Sequence, residues 1–211
     1  MVDPADKRPQ WLRWSMRLQA IAQDGLTYAK DDYDLGRYEQ LRALAAEILA
    51  AHSTGTLEEA GDLLGLETGP ATPKVDVRAA VFREGWILLV KEPGDGGWSL
   101  PGGWADVGES ASEAAARETL EESGYTVRPV RLLAAYDRDK HGHPPIPHHV
   151  YKLVFECEIL EEIPSSEVDT EGARFFGENE LPGLSISRVT PDQISRFFEQ
   201  HRDPGRPADF D

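Results

Sequence analysis

GGWADVGESASEAAARETLEESGY, residues 102–125, is the stretch on which the reading of this 211-residue chain turns. Ser110 is placed to cap a helix, Glu113 three positions later completes a capping box, and Gly124 ends it. On that helix Glu118, Glu121 and Glu122 stand at i, i+3 and i+4, so three carboxylates share one face. Like charges at this spacing repel, and divalent cations are the natural compensation; hard Mg²⁺ or Mn²⁺ takes carboxylate oxygen together with substrate phosphate. Ala111, Ala114 and Ala115 project the same way, which predicts an acidic face floored with small residues. Leu120 and Ala116 are expected to point toward the core. Gly102 and Gly103 supply a loop whose amides can face an anion, and Arg117 is placed to pair with Glu109 or Glu118.

Outward from this segment, residues 75–82 and 86–91 are short Val-, Ile- and Leu-rich runs around Arg83-Glu84-Gly85, the pattern of a β-hairpin. Further strands are expected at 127–135, 150–160 and 173–176, and a closing helix at 191–201. Residues 67–74, ETGPATPK, lack periodicity and read as a linker. Before it, residues 9–65 are helical, with Trp11, Trp14, Leu18 and Ile21 and then Leu41, Ala45, Ile48 and Leu49 at helical spacing. Asp24-Gly25 and residues 31–36 are expected to break the hairpin. The organisation is therefore a helical domain at 1–66, a linker at 67–74 and a second domain at 75–211. The second domain is α+β, or an α/β/α sandwich.

Formal net charge is −16, from 38 Asp and Glu against 22 Lys and Arg. Such a surface repels a long polyanion, so no long nucleic acid is expected as a partner. No apolar stretch reaches the ~18 residues of a membrane span. The single cysteine, Cys157, cannot form an internal disulfide. The expectation is a soluble cytoplasmic protein.

The segment Gly103, Glu109, Arg117, Glu118, Glu121, Glu122, Gly124 resembles the Nudix box, G-x5-E-x7-R-E-U-x-E-E-x-G-U, with Tyr125 at the last apolar position and Thr119 departing at the first. The resemblance implies an α/β/α sandwich with a mixed sheet, metal ligation by Glu118, Glu121 and Glu122, and orienting roles for Arg117 and Glu109. It implies hydrolysis at a pyrophosphate with Mg²⁺ or Mn²⁺. The N-terminal helices resemble the extension of a subgroup acting on nucleoside diphosphates joined to another group, such as ADP-ribose or CDP-choline, and a homodimer is expected. A carboxylate is expected to take the proton of the attacking water, either from the box or from the acidic loop at 161–171, where Glu167 and Glu171 are candidates. His141, His143, His148 and His149 match no compact zinc spacing; His143 and His149 are candidates for substrate contact, beside Gly102 and Gly103. Two other readings remain at this point: a Nudix enzyme acting on RNA 5′ ends or damaged nucleoside triphosphates, and a Nudix-like sensor without turnover.

Overall fold

The computed structural model describes residues 8–162 and 172–211. The chain divides into two compact units: the first runs to Pro73 and takes in Pro145–His149, the second holds Lys74–Pro144 and Val150–Asp211.

The first unit is three helices, α1 (Gln10–Tyr28), α2 (Asp32–Ala51) and α3 (Leu57–Gly65). Its core joins Leu12, Ala45, Ala46, Leu49, Ala60 and Leu64, flanked by Trp11, Met16 and Leu18. Asp24-Gly25 does not break α1. Gly25 is required for helix packing instead, because a Cβ there would run into the Tyr38 ring. Gly36 likewise lies within α2. The break falls at residues 29–31, where Asp31 caps α2 by accepting the Asp34 amide at 2.9 Å. Of the expected stripe on α1, Trp11 and Leu18 pack on the core. Trp14 (53%) and Ile21 (46%) stay exposed and continue to Tyr28 (66%), an apolar line at i, i+7 and i+14.

The second unit is a mixed sheet with a helix on each face. Its strands are β1 (Lys74–Arg83), β2 (Trp86–Lys91), β3 (Trp98–Ser99), β4 (Tyr125–Asp137), β5 (Val150–Glu162), β6 (Ala173–Phe176) and β7 (Asp209–Phe210). They run in the order β3-β2-β1-β5-β4-β7, with β6 paired to β2. β1 is parallel to β5 and β4 antiparallel to it. The β1–β2 turn has positive φ at both Glu84 (53°) and Gly85 (80°), the geometry a two-residue hairpin needs.

Alternation along β1 assigns the two faces. Val77, Ala79 and Val81 pack beneath α4 (Ala111–Ser123) with Ala114, Ala115 and Ala116. Ala80 turns the other way, into the core that holds Ile194, Phe197 and Phe198 of α5 (Pro191–Arg202). Three layers result, as the α/β/α reading required. Ala114 and Ala115 are fully buried against the sheet, so they do not floor an open acidic face, and Leu120 is only half-buried. The sheet-facing side of α4 runs through Ala114, Ala115 and Thr119. Thr119 is tolerated there because its hydroxyl donates back to the Ala115 carbonyl at 2.6 Å, leaving the methyl to pack. Cys157 lies in the core beneath α4, and burial pushes its thiol up to about 12.

Candidate active site

α4 begins and ends as its residues dictate. Ser110 accepts the Glu113 amide while Glu113 accepts the Ser110 amide, and Gly124 closes the helix at φ 75°. Ahead of it, residues 101–105 run beside β1: Ala79 N–H donates to Pro101 O, Val77 N–H to Gly103 O, and Ala105 N–H to Val75 O. This edge holds the glycine loop against the carboxylates. Gly103 leaves room for Glu118, since a Cβ there would come 3.0 Å from Glu118 Oε2. Gly102, at φ 140°, sits where a Cβ would collide with the Val77 carbonyl oxygen, so only glycine fits. Its amide donates to Glu122 Oε2 at 2.8 Å.

Arg117 gathers the remaining box acids. Its Nη2 and Nε donate to the two oxygens of Glu109 at 2.8 and 3.2 Å, and its Nη1 to Glu118 at 2.9 Å and Glu121 at 3.1 Å. Glu109 in turn accepts the Asp106 amide at 2.9 Å. The Arg117 side-chain bond, with that amide, holds the Glu109 carboxyl below its usual range. Glu122 moves the opposite way. Burial raises it to about 7; the Gly102 amide and Arg78 oppose the rise, and Glu92 and Glu118 add to it.

Among the described residues no three His, Cys, Asp or Glu groups close on one point as they stand. Glu118 and Glu121 are drawn to Arg117 while Glu122 faces the Gly102 amide. The donor set nevertheless fits a hard divalent ion: carboxylate oxygens on one helix turn, a glycine cradle that a Cβ would fill, and an excess of negative charge that burial disfavours.

On the α5 side of the sheet lies a charged cluster that sequence reading did not single out. Asp76 accepts from Arg78 Nε at 3.0 Å, Arg78 Nη2 at 2.9 Å and Lys152 Nζ at 2.7 Å. Burial alone would raise the Asp76 carboxyl, but Arg78 and Lys152 hold it at about 2; burial brings Lys152 down to about 8. Glu92 forms an ion pair with Arg188, whose Nε lies 2.9 Å away, and lies 3.8 Å from Arg78 Nη1.

His143 is buried, with Nδ1 2.7 Å from the Ile186 carbonyl. A carbonyl only accepts, so Nδ1 carries the proton and Nε2 a lone pair. Nε2 has no hydrogen-bond partner among the described residues, and burial lowers the ring to about 4. His149, half-buried, precedes β5 in the segment that groups with the first unit. Glu167 and Glu171 lie outside the described residues.

The box geometry and the three-layer fold define a class, and comparison with known families agrees: residues 72–197 match the NUDIX domain, so the chain belongs to the Nudix family and is a Nudix pyrophosphohydrolase. Residues 9–64 match a UDP-X-like N-terminal oligomerisation domain. The chain is 46% identical over 202 residues, 96% of its length and 97% of the relative's, to YjhB of Bacillus subtilis (strain 168), named as a candidate ADP-ribose pyrophosphatase. It resembles the crystal structure of a UDP-X diphosphatase (34% identity, 95% of this chain and 98% of that one, TM-score 0.61). An ADP-ribose pyrophosphatase from Streptococcus suis 89-1591 is similar over 66% of this chain and 100% of its own (37% identity, TM-score 0.61). Nudix hydrolases generally use divalent metal ions. No helix among the described residues is long and apolar enough to cross a membrane.

Proposed function

We propose that the chain hydrolyses the pyrophosphate bond of a nucleoside diphosphate joined to a further group, of the ADP-ribose or CDP-choline kind, releasing a nucleoside monophosphate and a phosphorylated remainder. The observation that carries the reading is the set of box residues, with Glu109, Glu118 and Glu121 held by Arg117 and Glu122 by the Gly102 amide, in a chain whose near-full-length relatives are named for ADP-ribose and UDP-X. Glu118, Glu121 and Glu122 hold Mg²⁺ or Mn²⁺. When bound, such an ion supplies an acidified water and neutralises the pyrophosphate oxygens.

The chain's own residues divide the remaining work. Arg117, tied to Glu109, orients Glu118 and Glu121, and the Gly102 amide orients Glu122. Gly102 and Gly103 keep the loop close enough for phosphate to approach without a side chain in the way. A carboxylate takes the proton of the attacking water; the candidates are the box glutamates and Glu167 or Glu171. His143, whose Nε2 is buried as the structure stands, and His149 are the candidate substrate contacts ahead of β5. The exposed line Trp14, Ile21 and Tyr28 is the surface through which two copies pair, a role supported by the oligomerisation family matched by residues 9–64.

The test is a panel of nucleoside diphosphate conjugates with Mg²⁺ and with Mn²⁺, products identified by mass. The expected products are AMP from ADP-ribose or CMP from CDP-choline, with turnover abolished by EDTA. Inorganic phosphate as the only product, or pyrophosphate from a nucleoside triphosphate as the preferred reaction, would overturn the proposal.

A further inference from the structure

Arg78 is an ion in an unusual place. It stands on a central strand and is almost wholly enclosed, as are its partners Asp76 and Lys152. Burial works against all three charges, and replacing such a set by apolar side chains of similar volume is often neutral for stability or improves it. Stability therefore does not account for a guanidinium at this position. Its directed contacts do.

Two of its nitrogens grip both oxygens of Asp76, which Lys152 holds from the other side. Its third nitrogen, Nη1, is thereby aimed at the Leu100 carbonyl, 3.0 Å away, with Ser99 Oγ at 3.5 Å. Leu100 is two residues before Gly102, whose amide donates to Glu122. Gly102 itself lies against the strand: a Cβ there would come 2.9 Å from Arg78 Cα and 3.0 Å from Arg78 Cδ. The guanidinium also acts electrostatically on Glu122. We infer that Arg78 is a positioning residue for Glu122, fixing the 99–102 segment through the Leu100 carbonyl so that the Gly102 amide aims that carboxylate, with Asp76 and Lys152 serving to aim Arg78. The inference rests on the proposed role of Glu122 as a metal ligand.

A lysine keeps the charge but cannot grip Asp76 and reach Leu100 at once, so Arg78→Lys tests the fork. A merely structural role is tested by Asp76→Leu/Arg78→Met/Lys152→Met, which removes these three ions together and leaves Glu92 its ion pair with Arg188. Both are made in the full chain and compared by melting temperature, Mn²⁺ affinity from the free-ion electron paramagnetic resonance signal, kcat and KM on the conjugate that the wild type turns over best. The triple variant is expected to melt near the wild type, bind Mn²⁺ about tenfold more weakly and lose about 100-fold in kcat, since a displacement of ~1 Å at a reacting group costs that much. KM should stay within about threefold. Arg78→Lys should lose at least about tenfold in kcat, but only about threefold when combined with Glu122→Gln, because residues acting as one unit are not additive.

Wild-type kcat and Mn²⁺ affinity in the triple variant would overturn the inference. If that variant does not fold, Arg78→Lys decides: an equal loss with and without the Glu122→Gln substitution refutes positioning, and a loss confined to the chain that keeps Glu122 supports it. Unchanged Mn²⁺ affinity and turnover in Glu122→Gln alone would remove the assignment of Glu122, a failure distinct from that of Arg78.

Discussion

Glu122→Gln should make the metal-free protein more stable at alkaline pH while disabling it. Raising this carboxyl from 4.5 to about 7 corresponds to about 3 kcal/mol at ~1.36 kcal/mol per tenfold change in acidity. The group is not wholly enclosed, so about 2 kcal/mol is the fairer magnitude. A folded-state value above the unfolded one means that the native state holds the proton more tightly. The associated stability is present in full below pH 4.5 and is lost as pH rises through about 7. Glutamine mimics the protonated acid, still accepts the Gly102 amide, and does not titrate. In EDTA at ~pH 8.5 the variant should therefore melt about 4–8 °C above the wild type, at ~2–4 °C per kcal/mol. At ~pH 4.5 the two should coincide. Added Mg²⁺ should raise the wild type and move the variant much less, because an ion stabilises only what binds it. Turnover of the variant should fall at least ~100-fold. Differential scanning calorimetry at the two pH values, with and without Mg²⁺, supplies the measurement. A variant less stable than the wild type at ~pH 8.5 in EDTA would refute the argument from buried charge.

Glu121→Gln should also cost at least ~100-fold in kcat, and Glu109→Gln less, since Glu109 acts through Arg117; steady-state kinetics at saturating Mg²⁺ ranks them, and the reverse order would count against the assignment. Gly103→Ala should cost about tenfold in kcat with little change in folding, because the new Cβ meets a flexible carboxylate at 3.0 Å; an inactive, unfolded product would contradict it. His143→Phe should raise KM about tenfold and lower kcat less, as expected for removal of a binding contact; a fall in kcat alone would be inconsistent with that role. Trp14→Glu with Ile21→Glu should convert a dimer to a monomer in sedimentation velocity, and an unchanged mass would show that α1 pairs nothing.

Short-range chemistry was legible in the residues themselves. Ser110 with Glu113, Gly124, and Glu84-Gly85 each act within a few positions, so helix start, helix stop and hairpin turn could be read directly. The box acids are also local, with Glu118, Glu121 and Glu122 together on α4 and Glu109 just ahead of its N-cap. What escaped is chemistry between distant positions. Asp76 and Lys152 meet only because β1 and β5 run side by side in register, and nothing near Arg78 in sequence signals that its side chain reaches Leu100. A charged residue in a strand otherwise reads as the solvent face. Gly25 misled for the same reason: its neighbour is Tyr38 of the next helix, so a residue that looks like a break is a packing contact. The alanines of α4 were read as an open floor because helical spacing gives a face and not what lies against it.

The enclosure of Cys157 has a practical side. Its thiol is the chain's only one, lies in the core, and is held about 12 by burial, so at neutral pH almost no thiolate exists to meet an alkylating reagent. Maleimides and spin labels should pass over the native protein. A cysteine introduced at an exposed position in either unit would then be modified without background, with no native residue needing to be removed first.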